Sequence, residues 1–222
     1  MPMFPLNTVL FPGVTVPLHV FEDRYRALVH RLLTIEDPAE RLFGTVAIRE
    51  GFEVGDSLHR QGVQSVHRIG CYLQLSDYEA NPDGTFDIVA VGRGRLRLDE
   101  LDSSGPWLAG SVERLDDTAG QIRAETVSHA LSVFERYRGT VSEVSSAEVL
   151  VGDLPHDPTY LSWSLGATCL LTLPQRQSLL EADTAAIRLA LVTGMLEREI
   201  QAMQVIPSLP ATDVARNRWS PN

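Results

Sequence analysis

The spacing of apolar residues changes once along this chain of 222 residues, close to Asp116. Before that point, short apolar or β-branched runs are separated by Gly, Pro, Asn and Asp. After it, apolar residues recur at every third or fourth position. Alternate residues of a strand share a face, whereas a helix returns to the same face about every 3.6 residues. The chain is therefore predicted to be an α+β protein whose strands precede its helices.

The first part of the chain predicts strands joined by tight turns and interrupted by one early helix. The run Asn81-Pro82-Asp83-Gly84 marks a turn, because Pro sets φ and Gly supplies a positive φ. This turn predicts a hairpin within residues 70–98. Apolar residues spaced by three and four predict a helix from Phe21 to Leu33 with one face on the sheet. The runs that predict strands begin at Val14, Phe43, Tyr72 and Phe86.

The second part of the chain predicts a helical bundle. Its first helix is predicted to end at Gly139, its second to begin at Pro174 and its last to be capped by Asp183. Prolines then stop the last helix. We expect a β-rich subdomain at residues 1–117, a helical bundle at 118–205 and a flexible tail at 206–222. The buried stripe of the last helix is predicted to be Leu189, Val192, Leu196, Ile200 and Met203.

The basic residues are unusual, because all 19 of them are arginine. A Walker phosphate loop and a serine-lysine peptidase both need a lysine, so both are excluded. The formal net charge is -10, which argues against a non-specific grip on nucleic-acid phosphates. Any basic surface is expected to be local.

No sequence motif for catalysis, metal binding or cofactor binding stands out. The six histidines show neither HExxH spacing nor pairing with cysteine, and no GxSxG run occurs. Cys71 and Cys169 lie in apolar surroundings and are interpreted as buried thiols. The run Gly92-Arg93-Gly94 lacks a third glycine and is interpreted as a bend between strands. We therefore expect a protein that is not an enzyme and holds no cofactor or metal.

The start of the chain has no basic or cleavable apolar leader, and the longest uncharged run is too short to cross a membrane. A cytoplasmic protein without a membrane span is expected.

Two groups of residues are candidates for binding. Arg93, Arg95 and Arg97 alternate along a predicted strand, so their side chains are expected on one face. They could hold a carboxylate-rich peptide or an RNA backbone, or they could form ion pairs with the chain's own acids, which we favour. Apolar residues beside predicted turns could border a peptide groove, although core burial is the expected fate: Phe11, Pro12 and Trp107.

The N-terminal run resembles the opening of the Lon protease substrate-binding domain. It reads Phe4-Pro5-Leu6, then Phe11-Pro12-Gly13, then Val16-Pro17-Leu18, and then Phe21-Glu22-Asp23-Arg24-Tyr25 entering a helix. Further similarities follow in order along the chain, at Phe43-Gly44, at the Arg-rich strand and at Gln177-Ser178-Leu179-Leu180-Glu181.

The resemblance implies a fold and a function. The implied fold is a PUA-like β-barrel or sandwich followed by an α-helical bundle. The implied function is a free-standing, non-catalytic module that binds unfolded or tagged polypeptide or a folded partner protein, including a protease in trans. An RNA-binding protein that uses the Arg strand is the alternative, and small-molecule binding in an aromatic pocket is a third hypothesis. The resemblance also gives an architectural role to four residues: Phe21, Glu22, Arg24 and Tyr25.

Overall fold

The computed structural model describes residues 1–49, 62–145, 150 and 154–205, with the side chains of 62 and 63 left aside. The tail predicted at residues 206–222 lies outside these residues. The chain divides into two compact units, and the division falls between Asp116 and Asp117. Within the described residues, no helix combines the length and the apolar character needed to cross a membrane.

The first unit is built on an antiparallel sheet. Its strands are β1 (Thr15–Val20), β2 (Leu42–Thr45), β3 (Ile69–Ala80), β4 (Phe86–Asp102) and β5 (Ala109–Leu115). They lie in the order β1-β4-β3-β2, and β5 also pairs with β4. The strand β4 is 17 residues long, so its first part can pair with β1 and its last part with β5. The run Gly92-Arg93-Gly94 lies inside β4, so the predicted bend between two strands is wrong.

The N-terminal segment joins the sheet edges at β2 and β5. The amide of Met3 donates to the carbonyl oxygen of Leu108 at 2.8 Å, and the amide of Phe4 donates to that of Gly44 at 2.8 Å. The terminal ammonium of Met1 donates to the carbonyl oxygen of Gly110 at 2.9 Å. Backbone groups at the two strand edges are thereby satisfied, which closes the sheet in the manner of a barrel.

Helix α1 (Asp23–Leu33) covers the sheet with one face. Its buried residues recur at spacings of three and four, as the sequence predicted: Tyr25, Leu28, Val29 and Leu32. They join strand residues such as Phe43, Leu73 and Ile88 in the core of this unit. The predicted turn at residues 81–84 is confirmed, because Gly84 has a φ of 83° and donates to the carbonyl oxygen of Asn81.

The second unit is helical. Its helices are α2 (Ala124–Ser145), α3 (Pro158–Thr168), α4 (Leu173–Glu181) and α5 (Ala185–Val205). The predicted stripe of the last helix is buried along its whole length. The sequence interpretation missed α3, whose uncharged residues mix apolar with Ser and Thr side chains and show no helical period. Asp157 caps this helix by accepting hydrogen bonds from the amides of Thr159 and Tyr160.

Two predicted helix boundaries are wrong. Helix α5 begins at Ala185, and the hydroxyl of Thr184 accepts a hydrogen bond from the amide of Ile187 at 3.2 Å. Thr184, rather than Asp183, is therefore its N-cap. Helix α2 continues past Gly139 to Ser145, because continued burial of residues such as Val141 outweighs the low helix propensity of one glycine.

Replacement of Gly139 by alanine is expected to stabilise the helical unit by about 0.5–1 kcal/mol. The position lies inside α2, and a Cβ there would meet no described neighbouring atom within 4 Å. Alanine restricts the unfolded chain without a clash in the folded one. Urea unfolding followed by circular dichroism measures the change, and an unchanged or lower midpoint would contradict it.

A buried ion pair lies at the start of the helical unit. Arg188 of α5 is fully buried, and its Nη2 lies 3.0 and 3.2 Å from the two carboxylate oxygens of Asp117. Its Nε donates to the hydroxyl of Ser162 at 2.8 Å, and its guanidinium lies 3.1 Å from the ring centroid of Trp163. The indole of Trp163 also donates to Asp117 at 2.8 Å. This network connects α3 and α5 to the first residue of the unit.

Candidate functional site

The arginines of β4 do not form one exposed stripe. An extra residue opposite β3 at Arg93 makes a β-bulge, which interrupts the alternation on which the prediction depended. Arg95 is only 4% exposed, and its Nη2 donates to the carbonyl oxygen of Asp116 at 2.9 Å. Arg95 therefore has too little exposed surface to act as the binding side chain that was considered as one of two alternatives.

The other two arginines of β4 are exposed and have partners within the chain. Arg93 donates from Nε to the side-chain oxygen of Gln74 at 2.8 Å. Arg97 forms ion pairs with Glu113 of β5 and, at 3.3 Å, with Asp99. The ion-pair interpretation that we favoured describes Arg97. These contacts leave the RNA-binding alternative without support.

The apolar candidates beside the predicted turns are mostly part of the core. Phe11 and Pro12 are buried, and the backbone next to them lies on β4, where the amide of Gly13 donates to the carbonyl oxygen of Gly92 at 2.9 Å. Trp107 is half-buried and packs on the same core. Phe11 and Pro12 therefore do not border an exposed groove, and only Trp107 keeps a partly accessible ring.

Three residues at the start of α1 make contacts that fix the helix. Glu22 is the N-cap residue and forms an ion pair with Arg24 at 2.6 Å. The Arg24 guanidinium lies 4.7 Å from the centroid of the Tyr25 ring, which stacks on Phe4 at 4.0 Å. Burial raises the pKa of the Tyr25 hydroxyl above its usual value. These contacts link the start of α1 to Phe4, and the architectural role that the resemblance implied stays a prediction.

Phe21 differs from these three residues. Its side chain is 40% exposed, and its ring stacks on His19 with 6.1 Å between the ring centroids. Nδ1 of His19 in turn donates a hydrogen bond to the Asp87 carboxylate at 2.7 Å. Phe21 therefore lies at the surface of the β-rich unit, and the architectural role implied for it stays a prediction.

Neither a metal site nor an exposed thiol is found in the described part of the chain. No group of three or more His, Cys, Asp or Glu side chains there could hold a metal ion. Both cysteines are buried, and burial raises the pKa of the Cys71 thiol to about 12. A thiol at this pKa is almost fully protonated near neutral pH and is a poor nucleophile.

A groove lies between α2 and α5 of the helical unit, and the sequence analysis did not identify it. Its volume is about 430 Å³. Side chains from both helices line it: Glu125, Thr126 and His129 from α2, and Ala190, Thr193, Gly194 and Glu197 from α5. His129 and Glu197 lie in contact across the groove, with 3.3 Å between Nε2 and Oε1.

The exposed face of α5 next to this groove carries no charge over its first three turns. Ile187 is 47% exposed and Leu191 is 38% exposed, and Ala190 and Gly194 lie between them and the groove. A helix on a protein surface normally places charged and polar residues on its outer face. We call this surface, formed by Ile187, Ala190, Leu191 and Gly194, the apolar face of α5.

A signal for this face was present in the sequence. From Ala185 to Leu196 the only charged residue is Arg188, and a helix that is apolar all round is typical of a fully buried position. The stripe of buried residues accounts for one side of the helix, so the apolar residues outside the stripe indicate a second apolar face. Comparing both faces of the helix would have identified it.

Comparison with protein families establishes the relationship. The family model of the ATP-dependent protease La (LON) substrate-binding domain matches residues 1–198. The chain belongs to the Lon substrate-binding domain family. The resemblance seen in the N-terminal run is thereby confirmed, and the match extends through the helices that carry the groove.

Curated relatives of this Lon substrate-binding domain are Lon proteases. The chain is 26% identical over 207 residues to the Lon protease of Escherichia coli strain K12, which covers 92% of this chain and 25% of that protein. It is 21% identical over 211 residues to the Lon protease of Cytophaga hutchinsonii, with 92% and 25% covered. The chain therefore spans about a quarter of the length of the curated relatives that it matches.

Solved structures confirm the fold. A Lon N-terminal domain protein from Xanthomonas campestris superposes with a TM-score of 0.61 at 24% identity, covering 86% of this chain and 94% of that one. The N-terminal domain of the Mycobacterium avium complex Lon protease gives a TM-score of 0.61 at 17% identity, with 88% and 97% covered. The α+β class, with a PUA-like β-rich part and a helical part, is therefore confirmed.

Proposed function

We propose that this Lon substrate-binding domain is a recognition module that binds unfolded or tagged segments of other proteins and performs no catalysis itself. The observation that carries the proposal is the family match, which runs over residues 1–198 and describes a substrate-binding domain. A folded partner protein, including a protease that acts in trans, is the second class of partner that this function allows.

The surface chemistry supports a protein ligand. Unfolded chains expose apolar side chains, and an exposed apolar helix face can cover them. The apolar face of α5 is such a surface. A structured RNA would instead require a cluster of accessible arginines. The arginines of β4 are buried or bound to other side chains of the same chain.

The absence of catalysis is proposed on chemical grounds. The chain has no lysine, so a Walker loop and a serine-lysine dyad are both excluded. The family match concerns the substrate-binding domain alone. We therefore expect neither hydrolysis of ATP nor cleavage of a bound polypeptide by the purified chain.

Titration with a fluorescently labelled, permanently unfolded protein tests the proposal. A reduced and carboxymethylated protein serves as the probe, and its disulfide-intact folded form serves as the matched control. We expect saturable binding of the unfolded form that persists at moderate salt, because apolar burial is not screened by ions. A labelled structured RNA is titrated in parallel. Equal binding of folded and unfolded forms, or binding of RNA alone, would contradict the proposal.

A further inference from the structure

We infer that the groove between α2 and α5 binds polypeptide segments in which apolar residues are flanked by Lys or Arg. This inference rests on the proposed function and adds the place of binding and the class of segment selected. It is carried by three features: the apolar face of α5 beside the groove, the open space at Gly194 and the carboxylates on the groove wall.

The apolar face of α5 is suited to contact with an apolar segment. Ile187 and Leu191 are exposed one helical turn apart, and Ala190 lies beside them in the groove. Contact with an apolar segment would remove these side chains from water. A charged or strongly polar segment would gain nothing from this surface.

Gly194 leaves space for a side chain of the occupant. Glycine is unfavourable inside a helix. A glycine there is typical of a position where another group approaches the helix backbone closely. A Cβ at Gly194 would meet no described neighbouring atom within 4 Å, so the packing of the unit itself does not demand glycine. The volume of about 430 Å³ lies within the range of about 300–1,000 Å³ typical of ligand pockets. It suits a few side chains rather than a folded domain.

The charges on the groove wall select basic flanks. The lining contains two carboxylates, Glu125 and Glu197, and no arginine. Glu197 contacts His129, whereas Glu125 forms no ion pair with any described residue. Glu125 also lies in the first turn of α2, where the helix dipole stabilises a carboxylate. The dipole supplies no cationic side chain, so the carboxylate can still pair with a basic residue of an occupant.

An occupant that removes water from these carboxylates must supply opposite charge. Lys or Arg beside the apolar residues does so, and Asp or Glu there would be repelled. The net charge of -10 acts in the same direction over longer range. The groove therefore favours apolar segments with basic flanks over the same segments with acidic flanks.

Binding of short labelled peptides to the full chain tests this inference. The probes share a central Leu-Ile-Leu-Ala run that is flanked on both sides by Arg, by Ser or by Glu. Fluorescence anisotropy gives Kd for each. We expect the Arg-flanked peptide to bind more tightly than the Ser-flanked one by about fivefold, and the Glu-flanked one to bind most weakly.

Two variants separate the apolar and the charged contributions. Gly194→Leu fills the groove and is expected to weaken binding of every peptide by about tenfold. Gly139→Leu makes the same change at another open glycine of the helical unit, outside the groove lining, and is expected to leave Kd unchanged. The double variant E125Q/E197Q keeps the shape of the groove and is expected to abolish the preference for Arg over Ser flanks.

Each outcome has a distinct meaning. If Gly194→Leu binds both the peptides and the unfolded protein as the unaltered chain does, the groove inference is wrong and the proposed function stands. If the unaltered chain binds neither the peptides nor the unfolded protein, both fail. Equal affinity for Arg and Glu flanks would overturn the charge selection. Circular dichroism of each variant confirms that a loss of binding does not come from unfolding.

Discussion

Replacement of Asp117 by alanine is expected to lower the free energy of unfolding of the helical unit by about 3–5 kcal/mol. The substitution leaves the Arg188 guanidinium fully buried without its carboxylate, which lies 3.0 Å away in the intact protein. It also removes the acceptor of the Trp163 indole at 2.8 Å. A buried charge without a partner is among the most costly defects in a folded protein. Urea unfolding followed by circular dichroism and tryptophan fluorescence measures the effect.

The neighbouring residue provides a matched control for this prediction. Asp116→Ala removes the same side chain one position earlier, but the contact of Asp116 that matters here is its backbone carbonyl, which accepts from Arg95 and is retained. We expect a change within about 0.5 kcal/mol. If both alanine variants unfold at the same urea concentration, the buried ion pair is not the source of stability.

A double variant distinguishes charge from shape. Replacing Asp117 by Leu together with Arg188 by Met removes both charges and keeps most of the volume. Apolar replacements of a buried ion pair are often neutral, because the desolvation cost of the charges disappears with them. The double variant is therefore expected to be more stable than Asp117→Ala alone. A double variant as unstable as Asp117→Ala would indicate that lost packing, not unpaired charge, causes the defect.

Replacement of Gly92 by alanine is expected to destabilise the β-rich unit by about 2–3 kcal/mol. A Cβ at this position would lie 2.2 Å from the carbonyl oxygen of Phe11 and 3.1 Å from the Cα of Pro12. Both are backbone atoms, and two hydrogen bonds hold them there: Gly13 donates to Gly92, and Gly92 donates to Val14, each at 2.9 Å. A flexible side chain could rotate away from the new methyl group, whereas this backbone cannot without breaking those bonds.

Gly105→Ala is the control for the clash. A Cβ at Gly105 would have its closest described neighbour, the carbonyl oxygen of Trp107, at 3.6 Å, which is an ordinary van der Waals contact. We expect little change in the unfolding midpoint for this variant. Equal midpoints for Gly92→Ala and Gly105→Ala in urea would show that the segment at residues 11–14 adjusts to the methyl group.

The parts of the fold that were predicted correctly depend on local patterns. The buried face of α1, the stripe of α5 and the turn at residues 81–84 each follow from residues within a few positions of one another. Helix and strand periods and turn chemistry act at this range. The order of strands before helices could be read for the same reason.

The errors concern residues whose position depends on distant neighbours. Arg95 is buried where the end of β5 turns back towards it, 21 residues later at Asp116. For Phe11, by contrast, core burial was the expected fate, and the residue is 1% exposed. For Arg95, the residue type was known, but the element that covers the side chain was not.

The sequence by itself determined most of the elements, the order of strands before helices and the absence of lysine-dependent chemistry, because periodicity, turn residues and composition are local or additive properties. Only the tertiary structure decided which polar and apolar side chains are covered. The ion pair between Asp117 and Arg188 joins residues 71 positions apart, and the groove brings Glu125 and His129 beside Gly194 and Glu197. Burial and charge pairing at such separations depend on how elements pack, since an apolar residue lies in the core or on the surface according to which neighbour reaches it.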